Sequence, residues 1–270
     1  MTTIVKKIPI SKINVIDGIV EKRIEVVARE IALHVFLGSI HFVSILCSPA
    51  LLKELVIGHL LGEGIIDSAD EILNFEVDQE NRCYVTFSEI NEERHFAVSK
   101  PFAQLIVSAC GSVGYKSLSE LLDTIKLTPL LTWKVEAETV LRCVKQLNTL
   151  AETYRKTGGV HVAALFECDG QLVVSAEDVG RHNAVDKVVG AASMEQKNLR
   201  NCFLALSGRL TGDIVLKAAR VGMPIVMSIA APLDTGIEVA VKTGVTLIGF
   251  ARGKKMNIYT NPERVYFRRN

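Results

Sequence analysis

The chain has 270 residues, enough for one large domain or two ordinary ones. Apolar residues make up 49 % of it and the formal net charge is +1, which excludes a disordered chain and argues against a broad nucleic-acid surface. No apolar run reaches membrane-spanning length, residues 1–10 hold no signal-peptide core, and the six cysteines include no CxxC pair, so the chain reads as a cytoplasmic protein with free thiols and no membrane partner.

The first half reads as strands followed by a short helix. Residues 24–31 and 40–46 show β-branched alternation, and Ser48 and Pro49 open a segment, Ala50 to Leu61, with apolar residues at helical spacing. Residues 72–77, 82–87 and 94–98 have the pattern of further strands. From Ser108 to Ser117 the pattern breaks into SACGSVGYKS, a glycine-punctuated loop expected to be less ordered than its flanks.

Residues 136–156 predict one long helix. Val140, Val144, Leu147 and Ala151 share a face, Arg155 and Lys156 lie in the last turn, and Gly158 can end it. Two strand-like runs, 160–167 and 171–177, meet across Asp169-Gly170, a strong hairpin signal. Helix and strand then alternate: GRHNAVDKVVGAA before CFLALS, TGDIVLKAARVG before PIVMSIA, and DTGIEVAVKTG before VTLIGFA. Such alternation calls for parallel strands covered by helices. The order from Glu136 onward resembles the cytidine-deaminase core, with a mixed sheet and one antiparallel edge strand. The predicted fold class is therefore α/β: an N-terminal α+β domain over residues 1–128 that ends in the cysteine loop, and a cytidine-deaminase-like α/β domain over residues 129–270.

Zinc deaminases place their metal at two helix starts that begin H-x-E and P-C-x-x-C. Here the first start reads Arg181-His182-Asn183-Ala184, with alanine where the catalytic glutamate would stand, and no cysteine opens the second, around Ser207-Gly208-Arg209. A zinc site needs at least three protein ligands, so neither a metal nor zinc hydrolysis is expected. The helix starts offer backbone N–H groups and positive charge instead, which suit an anion at the carboxyl edge of the sheet. The alternative is that Arg181 and Arg209 pair with Glu177, Asp178 and Asp213. The run Arg252 to Lys255 adds charge just after the last core strand, where a short basic run is ordinarily a solvated turn.

Among the cysteines, Cys83 and Cys202 fall in strand patterns and Cys143 in a helix, as small buried hydrophobes do. Cys47 and Cys168 carry no distinguishing signal. Cys110 precedes Gly111 in the loop, near Lys116, which favours the thiolate. On these residues alone a nucleophilic and an incidental Cys110 both remain open.

Taken together, TGGVHVAAL, EDVGRHNAVDKVVG, LSGR, GMPIVMSIAAPLDTGIEVA and TLIGFARGKKMNIYTNPERV, with GHLLGEGII and CGSVG in the first half, resemble the FdhD family of formate dehydrogenase accessory sulfurtransferases. The likeness runs from about residue 48 to the C-terminus. It implies a sulfurtransferase that takes persulfide sulfur from a cysteine desulfurase. The sulfur passes to the bis-molybdopterin guanine dinucleotide molybdenum cofactor, and formate dehydrogenase is the client. The family's persulfide cysteine falls on Cys110, and its cofactor-binding segment on Phe250, Ala251, Arg252, Gly253, Lys254 and Lys255. Arg181, His182 and Arg209 are the further candidates for the guanine nucleotide moieties. The family pattern has a second cysteine where this chain has Val113, so Cys110 would act alone. That departure leaves a second reading, a non-catalytic chaperone that binds the molybdenum cofactor. The oligomeric state, a homodimer included, is not fixed by the sequence.

Overall fold

The computed structural model describes residues 3–88 and 133–267. The predicted strand at 94–98, the loop carrying Cys110 and the boundary near residue 128 lie outside the described residues.

Strands β1 (Val5–Asn14) and β2 (Ile19–Ala28) form a two-stranded antiparallel ribbon. Strands β3 (Ile31–Leu37) and β4 (Ile40–Cys47) follow, then helix α1 (Leu52–Glu63), then β5 (Ile72–Val77) and β6 (Arg82–Phe87). The last four strands make a sheet in the order β4-β3-β6-β5. The sequence expectation merged two strands at residues 24–31. Arg29 and Glu30 in fact separate β2 from β3, and charges spoil the alternation across that join.

After β7 (Val135–Glu136), the single helix expected over 136–156 is two: α2 (Ala137–Leu150) and α3 (Glu152–Thr157). The chain breaks at Ala151, with φ −80° and ψ 63°. Local polar groups take over the helical hydrogen bonds there. The Glu177 carboxylate accepts from the N–H groups of Thr153 (2.7 Å) and Tyr154 (2.8 Å), and the Arg155 guanidinium donates to the Thr149 carbonyl at 2.7 Å. Gly158 ends α3 at φ +67°, as expected.

The rest of the chain follows the predicted order. It runs β8 (His161–Glu167), β9 (Leu172–Asp178), α4 (Arg181–Met194), β10 (Cys202–Leu206), α5 (Gly212–Arg220), β11 (Ile225–Ser228), α6 (Asp234–Thr243), β12 (Thr246–Arg252), β13 (Lys255–Ile258) and β14 (Val265–Tyr266). Strands β8 to β13 form one sheet ordered β13-β12-β11-β10-β8-β9, in which β10, β11 and β12 are parallel. Two strands run against them, not one: β8, inside the sheet between β10 and β9, and β13 at the edge. The hairpin over Gly170 makes β9 the outer strand, so the inner β8 is the reversed one.

Alternate residues of the sheet face opposite layers. Val140, Cys143, Val144 and Leu147 of α2 pack on Phe203, Ala205, Phe166 and Met227. The other face, with Leu204, Leu206, Leu165 and Val226, shares one core with α1, α4, α5, α6 and the inward residues of β3, β4 and β6. Residues 184–190 of α4 are all buried, because the helix lies between sheet and α1. The contact of α1 with α4 is made by glycines. A Cβ on Gly58 would fall 1.8 Å from the Asp186 carbonyl oxygen, and one on Gly190 1.9 Å from that of Glu54.

Candidate functional site

At the carboxyl ends of β10, β11 and β12, three loops are tied into one edge. Leu210 N–H donates to the Ala231 carbonyl (3.0 Å), Phe250 N–H to the Ala230 carbonyl (3.0 Å), and Ser228 Oγ to the Gly208 carbonyl (2.6 Å). The start of α4 closes the edge, since a Cβ on Gly208 would lie 2.8 Å from Arg181 Cβ. The amino end of β8 joins it from the other side. Ser207 Oγ accepts from Val162 N–H at 3.1 Å and lies 3.2 Å from His161 Nδ1.

The sequence candidates at this edge separate by environment. Arg209 is exposed and forms no ion pair among the described residues. His182, the second residue of α4, is largely buried; burial, then Lys217 and Arg181, push its pKa down to about 4. It is thus a neutral imidazole at physiological pH, and its Nε2 is buried without a hydrogen-bond partner. The His161 pKa is lowered as well, by burial and then by Arg181, with Arg209 adding to it. Thr211 Oγ1, at the N-cap of α5, is a further buried oxygen without a partner.

The segment 250–255 closes the β12–β13 hairpin: residues 250–252 end β12, and Gly253 and Lys254 form the turn. The register slips between Gly249 and Arg252, Phe250 takes φ +52°, and Gly253 takes φ +61°. For a residue with a Cβ, the left-handed conformation costs about 1–2 kcal/mol, and such strain gathers at functional sites. Ala251 is buried, the half-buried Phe250 ring has the Arg252 guanidinium 5.8 Å from its centroid, and Arg252, Gly253, Lys254 and Lys255 are exposed. The backbone of this turn therefore stands on the same edge as Gly208 and Arg209.

Of the acids offered as partners for the arginines, Asp213 lies within electrostatic reach of Arg181, while Glu177 and Asp178 are engaged elsewhere. Glu177 caps α3. Asp178 accepts four hydrogen bonds or ionic contacts: Gly180 N–H and Asn183 Nδ2 on one oxygen, each at 2.8 Å, and Ser48 N–H (2.9 Å) and Lys187 Nζ (2.6 Å) on the other. Its role is to fix where α4 begins.

The sequence reading missed a buried ionic cluster beneath the edge. Lys217 Nζ lies 2.9 Å from Asp186 Oδ1 and 3.1 Å from Glu63 Oε1, and His59 Nδ1 lies 3.3 Å from Asp186 Oδ2. Burial alone would raise the Asp186 pKa, but Lys217, then His59, hold it below the usual carboxylate value. The same balance, with Lys217 first, takes Glu63 down to about 2. A signal existed: His59 and Glu63 are four apart in GHLLGEG, and Lys217 interrupts an apolar stripe.

Four of the described cysteines are buried. Burial pushes the thiols of Cys47 and Cys83 up to about 12, and those of Cys143 and Cys202 up to about 11. Cys168 is exposed in the β8–β9 turn. Among the described residues, no group of three His, Cys, Asp or Glu side chains is arranged to hold a metal ion, and no helix is long and apolar enough to cross a membrane.

A mixed sheet with helix starts, arginines and neutral imidazoles along its carboxyl edge defines an α/β protein suited to an anionic ligand. The chain belongs to the FdhD/NarQ family, whose model matches residues 28–266. It is 36 % identical over 240 residues to the sulfur carrier protein FdhD of Bacillus pumilus, covering 88 % of this chain and 90 % of that one. It is 37 % identical over 218 residues to the sulfur carrier protein FdhD of Methanothermobacter thermautotrophicus, covering 81 % and 82 %. A crystal structure from Desulfotalea psychrophila, of a protein described as a formate dehydrogenase accessory protein, superposes with a TM-score of 0.79 at 28 % identity, over 98 % of this chain and 100 % of that one.

Proposed function

We propose that this chain is a cytoplasmic sulfur carrier that matures formate dehydrogenase. In this reading the Cys110 thiolate attacks the terminal sulfur of a cysteine desulfurase persulfide, and the desulfurase cysteine leaves as its thiolate. The sulfur is then offered to the bis-molybdopterin guanine dinucleotide molybdenum cofactor, which is cargo here. The six-stranded sheet is read as a deaminase-type core in which Arg181, His182 and Arg209 stand where a metal site would be. Family membership supports the activity. The observation that carries the cofactor site is the edge itself: Gly208, Ala230 and Phe250 are linked by hydrogen bonds, beside the start of α4, with Phe250 held at positive φ.

The chemistry of the edge suits a guanosine diphosphate moiety. Arg209 and Arg252 are exposed guanidinium groups, which bind two phosphate oxygens at once. Helix N–H groups add to the attraction for an anion. The neutral His182 contributes a hydrogen-bonding nitrogen without a competing partner.

Incubation with a cysteine desulfurase and cysteine, followed by mass spectrometry, should add one sulfur to the peptide containing Cys110, removable by dithiothreitol. Cys110→Ala should abolish both the label and client activation. Full activation by that variant would sink the carrier reading. Val113, in place of the family's second cysteine, favours a second reading: a chaperone that binds the cofactor without transferring sulfur. Nucleotide binding with no label on Cys110 would select it.

A further inference from the structure

The edge suited to an anion also carries a carboxylate that the fold does not use. Asp213 is the second residue of α5, so it stands with Arg209 in the segment that follows the carboxyl end of β10. It is half-buried and makes no hydrogen bond and no ion pair among the described residues. The acids around it are engaged. Glu63 and Asp186 lie 3.1 Å and 2.9 Å from Lys217 Nζ, and Asp234 Oδ1, at the start of α6, accepts from Thr235 N–H at 2.8 Å.

An acid in the first turn of a helix is ordinarily explained by the helix dipole. That explanation does not suffice for Asp213. Burial first, and then Glu63, push its pKa up, and together they outweigh the lowering by Lys217, Arg181 and Arg220. A half-buried charge without a hydrogen bond costs stability. A carboxylate here also repels the phosphates that Arg209 and Arg252 would attract. Both costs are offset by a ligand that brings N–H donors to the carboxylate.

Guanine is such a ligand. Its N1–H and its N2 amino group lie side by side and point the same way, two donors for the two oxygens of one carboxylate. Adenine presents a lone pair at N1 and no amino group at C2, so it would meet the carboxylate with like charge. The placement of Asp213 fits a base lying between two helix starts. The start of α4 rests on the loop before α5, where a Cβ on Gly208 would lie 2.8 Å from Arg181 Cβ, and Arg181 acts on the charge of Asp213. His182 Nε2 and Thr211 Oγ1, from the same two helix starts, are buried without hydrogen-bond partners. They are available to the base's O6.

We propose that Asp213 selects guanine at this site, its two carboxylate oxygens accepting from N1–H and from the N2 amino group, a role that rests on the reading of the edge as a guanosine diphosphate site. The arginines and the helix N–H groups hold the diphosphate, which is the same in every nucleotide. Asp213 reads the base, which is not.

The test is calorimetry of the full chain with a panel of nucleoside diphosphates. The native protein should bind guanosine diphosphate at least about tenfold more tightly than inosine diphosphate, which lacks only the N2 amino group. Asp213→Asn keeps the shape and removes a half-buried charge, so its denaturation midpoint should not fall. It should bind guanosine diphosphate at least about tenfold more weakly than the native protein does. The same variant should prefer xanthosine diphosphate to guanosine diphosphate, because xanthine has a carbonyl in place of the N2 amino group and the asparagine amide donates to it. A purely structural role for Asp213 would not produce that gain. Equal native affinity for the guanosine and inosine nucleotides overturns the proposal, and so does an Asp213→Asn variant that keeps the native preference; the site itself survives both results. Native protein that loses affinity for 2′-deoxyguanosine diphosphate but not for inosine diphosphate puts the ribose at Asp213 and overturns it too. A native chain that binds neither guanosine nor adenosine diphosphate removes the site, and the role of Asp213 with it.

Discussion

Lys187 Nζ lies 2.6 Å from Asp178 Oδ2, and both side chains are 0 % exposed. The lysine also donates to the carbonyl of Ser48 at 3.2 Å, so this one ion pair joins the end of β4, the end of β9 and the body of α4. The start of α4, with Arg181 and His182, is thereby fixed from behind. Lys187→Met should destabilise the fold by about 3–5 kcal/mol, because it leaves a buried carboxylate without its counter-ion. Adding Asp178→Asn should recover part of that loss. Urea denaturation of the three variants checks the prediction, and independent, additive costs would contradict it.

Gly190→Ala and Gly58→Ala should each cost about 1–3 kcal/mol or more, as overpacking at a rigid contact does. The obstacle in both cases is a backbone carbonyl, which cannot turn aside as a flexible side chain can. Gly253→Ala is the comparison: its Cβ meets nothing within 4 Å, but φ is +61°, so a cost of about 1 kcal/mol from backbone strain alone is expected. Thermal or chemical denaturation ranks the three.

Acid should destabilise the protein in two stages. His182 has a folded pKa of about 4 against an ordinary 6.5. The unfolded chain therefore takes up the proton first, and stability falls as pH drops from about 6.5 toward 4. Glu63 has a folded pKa of about 2 against 4.5. Its contribution is full above about 4.5 and is lost as pH falls further toward 2. His182→Gln should flatten the first stage, worth about 3 kcal/mol, and leave the second. An unchanged slope between pH 6.5 and 4 in that variant would show that another group titrates there.

Guanosine diphosphate should bind more tightly than adenosine diphosphate. Arg209→Ala should weaken binding by about 1.5–3 kcal/mol, as loss of a charge-assisted hydrogen bond to phosphate does. Calorimetry on the full chain reads both. Because Arg209 is exposed and outside the ionic cluster, its removal should leave the denaturation midpoint in place. Equal affinity for the two nucleotides would remove the reason to place a guanine at this edge.

The parts of the fold legible in the sequence were those governed by local periodicity. The hairpin over Gly170, the three helix–strand units and strands β5 and β6 appear where apolar spacing and turn residues put them. The break at Ala151 was not legible, since the carboxylate that caps α3 comes from Glu177, twenty-four positions or more away in the chain. The ribbon of β1 and β2 was hidden for another reason: its lysines and glutamates mask the alternation that a half-buried strand would show. At the site, Arg181, Arg209 and the turn after β12 could be named from motif and position. The neutral state of His182 could not, because it depends on burial and then on Lys217, both of which arise only from the tertiary packing.

The contact of α1 with α4 has a consequence for synthesis on the ribosome. His59 and Asp186 are 127 positions apart, so α1 waits, through most of translation, for the helix that covers it. Eight of its twelve residues are buried in the finished fold. A nascent first half has only β3, β4 and β6 to cover that surface, without α4. Contacts of such long sequence separation form slowly, and exposed apolar segments invite aggregation meanwhile. The protein is therefore expected to be a chaperone-dependent folder, and a fragment ending before α4 should accumulate as insoluble material.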